Sequence, residues 1–141
     1  MQTGLMDFTF HHVGISVPDI DASIAWYGRM LGFEVLGRLQ IDAIPAKVAF
    51  LRKDSMHVEL FQVEGAAPPS EDRSDVNGDL HTFGNKHVAF VVRDVHAFAD
   101  ELRKRGADVV SVNDFKFGLF SSNAFVRDNS GNIIEFMQAS S

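Results

Sequence analysis

Two stretches decide the fold: HHVGISVPDIDA (11–22) and KHVAFVVRDVHA (86–97). With His12 laid over His87 they match at His12/His87, Val13/Val88, Val17/Val92, Asp19/Asp94 and Ala22/Ala97, an offset of 75 residues. Each is followed by a helical pattern, then a glycine (Gly32, Gly106), then strand-like runs. The last runs are HVELF (57–61) and IIEFM (133–137), with Glu59 and Glu135 in register. His12 precedes Glu59 by 47 residues and His87 precedes Glu135 by 48. Such a period is too long for a solenoid and reads as two copies of one supersecondary unit.

The elements follow outward from those stretches. FTFHHVGISV (8–17) is rich in β-branched and aromatic residues and reads as a strand. Pro18 ends it, Asp19 caps a helix carrying Ile20, Ile24, Tyr27 and Leu31, and Gly32 stops that helix. Strands are predicted over 33–40, 47–52 and 56–63, and a Gly/Pro/Ser/Asp-rich connector over 65–86. The second half repeats this: a strand at 87–92, a helix capped by Asp94 with Val95, Phe98 and Leu102, and strands at 107–112, 120–127 and 132–138. DNSG (128–131) reads as a four-residue hairpin loop. The expectation is one α+β domain over 1–141, with a βαβββ module at about 8–64 and another at about 87–138.

Composition narrows the function. At 141 residues the chain has room for one domain. A net charge of -6 without a Lys/Arg cluster argues against nucleic acid as a partner. No apolar run is long enough for a bilayer, and the N-terminus lacks the regions of a secretory signal. The expectation is a cytoplasmic protein without a membrane partner. With no cysteine, thiolate sites, iron–sulfur clusters and a Cys nucleophile are excluded, so any metal is held by His, Asp, Glu or water. The 13 Phe against one Trp and one Tyr fit either a Phe-rich core or a Phe-walled pocket.

Strand alternation places the repeated polar residues. Val13, Ile15 and Val17 form an apolar face for the helices, leaving His12 on the opposite face. Val88, Phe90 and Val92 leave His87; Val58 and Leu60 leave Glu59; Ile134 and Phe136 leave Glu135. That face also carries Phe10, Phe61, Ala89, Val91, Ile133 and Met137, too apolar for a plain solvated surface. If the sheets curl, two imidazoles and two carboxylates converge in one cavity. A divalent cation compensates the carboxylates there, and neutral imidazoles are its natural co-ligands. His57 shares the face of Glu59, as a proton shuttle, a substrate contact or a rim residue. His11, His81 and His96 are assigned no role. Arg52 and Arg127 end strands that this reading takes as neighbours, and are either substrate-anion contacts or plain exposed charges.

These stretches, with HHVGISVPDIDASIAWYGRMLGFEV, HVELF and FVRDNSGNIIEF, resemble the vicinal oxygen chelate superfamily of glyoxalases, epimerases, extradiol dioxygenases and resistance proteins across roughly residues 8–138. The resemblance implies paired βαβββ modules forming a curled, mostly antiparallel sheet around a metal-binding cavity. His12, Glu59, His87 and Glu135 stand where the family's metal ligands stand. A fourth ligand at Glu59 is similar to the glyoxalase I and methylmalonyl-CoA epimerase branches. Two departures stand out: Lys86 precedes His87 where epimerases carry a second His, and FQVEG (61–65) is followed by no Pro until Pro68.

Two His and two Glu leave two positions on an octahedral ion (Zn, Ni, Co, Mn or Fe) for a small substrate with neighbouring oxygens. The expected chemistry is a lyase, isomerase or epimerase reaction, by proton abstraction next to a metal-bound carbonyl. Glu135 is the first candidate base, because it follows a hairpin near a strand end, and Glu59 the second. Two alternatives are an iron(II) extradiol-type ring-cleaving dioxygenase and a non-catalytic binding or resistance protein holding an aromatic compound. Exposed sheet edges in so small a chain point to a homodimer.

Overall fold

Two Asp and two Gln fix where the main helices start. Asp19 (φ -141°, ψ 102°) accepts from Ala22 N, and Asp94 (φ -143°, ψ 101°) accepts from Ala97 N. Gln62 Oε1 accepts from Ile20 N and Gln138 Oε1 from Val95 N, each at 2.9 Å. Each helix thus has two of its orphan first-turn donors satisfied, and its N-terminus is tied to the last strand of its own sheet. An N-cap of this kind stabilises by about 1 kcal/mol. The helix Ile20–Leu31 (α1) stops at Gly32, whose φ of 78° suits glycine and whose N–H donates to Gly28 O at 3.0 Å.

The computed structural model describes residues 4–140 of the chain; Met1–Thr3 and Ser141, the ends of the domain range read from the sequence, lie outside the described residues. Four strands follow one another around α1: β1 (His12–Ser16), β2 (Glu34–Ile41), β3 (Ala46–Lys53) and β4 (Met56–Val63). They form one sheet in the order β1-β4-β3-β2. A 3-10 turn (Glu71–Ser74) and a one-turn helix α2 (Val76–Asp79) occupy the connector. The second sheet holds β5 (Val88–Val92), β6 (Asp108–Phe117), β7 (Phe120–Arg127) and β8 (Ile133–Ala139), ordered β5-β8-β7-β6, with α3 (Val95–Lys104) between β5 and β6. β1 pairs with β4 and β5 with β8 in parallel; all other pairs are antiparallel. The α+β class and the mostly antiparallel duplicated sheet are those the sequence predicts.

Some boundaries differ, for local reasons. β1 starts at His12, not residue 8, because its partner β4 begins at Met56 and the first paired residues are His12 and His57. β6 runs to Phe117, past the expected residue 112, because its pairing with β7 continues to Phe117 and Phe120. The hairpin loop spans 128–132, since Asp128 N closes it on Asn132 O at 2.9 Å. The connector carries helical turns because Asp75 caps α2 and Asp79, 3% exposed, holds it down. Asp79 Oδ1 accepts from Arg73 Nε and Lys86 Nζ, each at 3.2 Å. Lys86 also donates to the carbonyls of Asp79 and Thr82, so it is a staple for the connector.

The core lies on the helix side of both sheets. Val58 and Leu60 of β4, Val126 of β7, and Ile134 and Phe136 of β8 join Ile20, Tyr27 and Leu102 in one buried cluster. Leu60→Ala there costs about 2–5 kcal/mol. One ring contact crosses from half to half, Phe33 lying 6.5 Å from Phe90, which in turn stacks on Phe136 of its own half at 5.7 Å. Polar ties reinforce the crossing. Tyr27 Oη donates to Asp128 Oδ2 at 2.8 Å, and Arg105 donates to Arg29 O at 3.0 Å. Burial, and then the Asp128 carboxylate, push the Tyr27 phenol well above the ordinary tyrosine range.

Candidate metal centre

The register of each parallel pair sets a carboxylate diagonal to an imidazole. Gly14 stands opposite Glu59 and Ala89 opposite Glu135, so a small residue leaves room beside each carboxylate. His12 Nε2 then lies 3.2 Å from Glu59 Oε1, and His87 Nε2 lies 3.0 Å from Glu135 Oε1. An aromatic edge fixes each imidazole. Phe50 meets His12 at 5.6 Å and 84°, and Phe125 meets His87 at 5.5 Å and 82°. Phe50 and Phe125 are themselves one repeat apart, so the alignment that found the His and Glu also contained their supports. Phe33 and Phe136 belong to the core, while Phe50 and Phe125 each set a ring edge against an imidazole.

Each carboxylate turns to the imidazole of its own sheet: His87 and Glu135 are hydrogen-bonded, and His12 and Glu59 lie at ion-pair distance. His12 and His87 both line a cavity of about 710 Å³, walled also by Phe10, Asn85, Lys86 and Ile133. Among the described residues, no three His, Asp or Glu side chains are gathered into one metal-holding group. Two imidazoles and two carboxylates are donor types that a divalent ion takes, but here they stand as two separate pairs, each at ordinary ion-pair distance. The buried His57 Nδ1, which has no hydrogen-bond partner among the described residues, lies on the same face.

Several contacts lay outside the reach of sequence reasoning. His11 belongs with the site: it stacks on His57 at 4.4 Å and its Nδ1 lies 2.8 Å from His12 Nδ1. It precedes the first paired residue, so strand alternation does not govern it. Asn123 Nδ2 donates to Glu135 Oε2 at 2.8 Å, and its Oδ1 accepts from Asn113 Nδ2 at 3.1 Å. No repeat signal marked Asn123, because its counterpart is Val48. Arg52 and Arg127 occupy equivalent places in the two different sheets, so their strands are not neighbours. Arg127 is committed to Ser74 O and Asp108. His96 pairs with Asp114 on the surface, and that hydrogen bond raises its pKa.

Fold and site define the class. The chain belongs to the glyoxalase/bleomycin resistance protein/dioxygenase superfamily, whose profile matches residues 11–118. It is 28% identical over 133 residues to an ethylmalonyl-CoA/methylmalonyl-CoA epimerase of Cereibacter sphaeroides, covering 91% of this chain and 96% of that one. It is 29% identical over 135 residues to a probable lactoylglutathione lyase of Synechocystis sp., covering 92% and 95%. A glyoxalase family protein from Enterococcus faecalis shares the fold with a TM-score of 0.76 over 92% of this chain and 96% of that one, at 23% identity.

Proposed function

We propose that the chain is a metal-dependent lyase, isomerase or epimerase that removes a proton next to a carbonyl of a small oxygen-chelating substrate. The observation that carries the reading is the duplicated His–Glu pair, 3.2 and 3.0 Å across, with a Phe edge on each imidazole. His12, Glu59, His87 and Glu135 are the residues that would hold the ion. When bound, such an ion supplies Lewis-acid polarisation of a carbonyl oxygen and so acidifies the neighbouring C–H. The two carboxylates are the proton acceptors on this face. A proton returned to the adjacent carbon gives a lyase or isomerase outcome, and one returned to the opposite face gives epimerisation. The epimerase and lyase names of the two relatives support this class of chemistry. The cavity beside His12 and His87 has the size of a small-molecule site. We take the protein to be cytoplasmic and its working form to be a homodimer; for the dimer, β2 ends the first sheet with Val35, Leu36 and Leu39 exposed, an edge that a second copy would cover.

The test is elemental analysis of the purified protein, followed by deuterium exchange at the α-carbon of candidate 2-oxo and thioester substrates. About one divalent ion per chain and α-exchange are expected. Glu135→Gln and Glu59→Gln are then compared; the variant that lacks the base loses roughly 10²–10⁴-fold in exchange. Bound iron with oxygen uptake on a catechol, and no α-exchange, would replace this reading with ring cleavage.

A further inference from the structure

The cavity beside His12 and His87 takes one wall from the connector, with Arg73, Asp79, Asn85 and Lys86 among its lining residues. The chain has a net charge of -6, yet the charged groups on this cavity, with both imidazoles neutral, are two cations and one carboxylate. They differ in what they present. The Asp79 side chain is 5% exposed, Lys86 18% and Arg73 46%, so the charge open to solvent is mainly the guanidinium. Lys86 is committed: it donates to Asp79 Oδ1 and to the carbonyls of Asp79 and Thr82, which uses its three donors. Arg73 donates from Nε to Asp79 Oδ1 at 3.2 Å and from Nη2 to Asn85 O at 3.3 Å, while its Nη1 has no hydrogen-bond partner among the described residues. The bond to Asn85 O holds the guanidinium beside the backbone two residues before His87. Neither Arg52 nor Arg127 lines this cavity.

We infer that Arg73 is a substrate-binding residue and that the substrate carries a carboxylate, which the Arg73 guanidinium receives on the connector wall. This rests on the reading that the cavity at His12 and His87 is the substrate site. A guanidinium is a planar fork whose donors match both oxygens of a carboxylate. The wall's surplus of one positive charge balances a monoanion, whereas a phosphate group near neutral pH brings up to about two negative charges. Recruiting Arg73 strands no buried charge, because Lys86 stays on Asp79 at 3.2 Å. One charged anchor in a cavity that also has Phe10 and Ile133 on its walls is enough to orient a small acid. The anion contact weighed for Arg52 and Arg127 thus falls to a residue that the repeat could not mark, since the connector occurs once in the chain.

Pyruvate, its neutral amide and inorganic phosphate, each titrated into the purified protein, test this, with binding followed by the NMR ring signals of His12 and His87. Wild type should bind pyruvate more tightly than pyruvamide or phosphate. Arg73→Gln should weaken pyruvate binding by about 10–100-fold, the loss of a hydrogen bond between charged groups, and leave pyruvamide unchanged. Arg73→Lys keeps the charge but not the fork and should fall between. Arg127→Gln is the control, because Arg127 holds Ser74 O at 2.7 Å in the same turn as Arg73 without lining the cavity; it should bind pyruvate as wild type does. Equal losses in Arg73→Gln and Arg127→Gln would mean that Arg73 only orders the connector, and would overturn the inference. So would equal affinity for acid and amide, or tighter binding of phosphate. If acid and amide both move the ring signals in every variant, the cavity reading stands and the role of Arg73 falls. If pyruvate binds with both ring signals unmoved, the cavity reading falls and takes this inference with it. If wild type binds no pyruvate, the inference is overturned, and elemental analysis with α-exchange judges the metal-dependent reading separately.

Discussion

Tyr27 is the chain's only tyrosine, which makes the tie between the halves directly measurable. It is 1% exposed, and its hydroxyl donates to Asp128 Oδ2 at 2.8 Å. Removing that hydroxyl in Tyr27→Phe leaves Asp128 with Ser130 N at 2.8 Å, Asn132 N at 2.9 Å and Asn132 Nδ2 at 2.9 Å. The carboxylate is not stranded, so the loss falls toward the low end for a bond to a charged acceptor, about 1–2 kcal/mol. For a chain of this size the thermal midpoint should fall by roughly 3–8 °C. The burial of the same hydroxyl, beside Asp128, fixes a pH dependence. Burial and Asp128 raise the Tyr27 pKa, so the folded state keeps a proton that the unfolded chain releases near pH 10. Tyr27's contribution is therefore complete below about pH 10, and is lost as pH rises toward the folded value at up to about 1.4 kcal/mol per pH unit. Tyr27→Phe lacks that component. Urea unfolding of both proteins at neutral and alkaline pH measures the slopes, and tyrosinate absorbance should rise only with unfolding. Tyrosinate forming near pH 10 in protein that is still folded, or equal neutral stability of the two proteins, would refute the argument.

The remaining expectations concern the site and the assembly. His12→Ala and His87→Ala should each empty the metal site, read by elemental analysis, with far-UV circular dichroism unchanged; full metal content in both would sink the ligand assignment. Sedimentation should give a dimer at micromolar concentration, and a monomer at every concentration would count against the homodimer.

How much of this was legible in the sequence follows from what each residue answers to. Strand faces were legible in β4, where buried Val58 and Leu60 alternate with half-buried His57 and Glu59; in β8 Ile133, Ile134, Glu135 and Phe136 are all buried, so there the residue types and the repeat, not exposure, mark the faces. Helix starts were legible because Asp19 and Asp94 do local work within three residues of themselves. The second tie at each start was not. Gln62 and Gln138 reach backbone 42 and 43 residues away, and a Gln on a strand carries no mark of its partner. Lys86 could not be read either. Its donors go to Asp79 and to Thr82 O, in a helical turn that the Gly/Pro-rich composition of the connector concealed.

The repeat arithmetic was strongest where both halves kept the same residue and blind where they did not. His12/His87, Glu59/Glu135 and Phe50/Phe125 survive in both halves because each trio forms a self-contained unit of ring edge, imidazole and carboxylate. Leu39/Asn113 and Val48/Asn123 differ, and a comparison that rewards identity discards them. Yet the difference changes the surroundings of the carboxylates: Asn113 and Asn123 bring a second hydrogen-bond donor to Glu135 at its Oε2, where Leu39 and Val48 stand at the matching places of the first half. In a duplicated fold the matched residues show what the halves share, and the neighbours of those residues show where they differ.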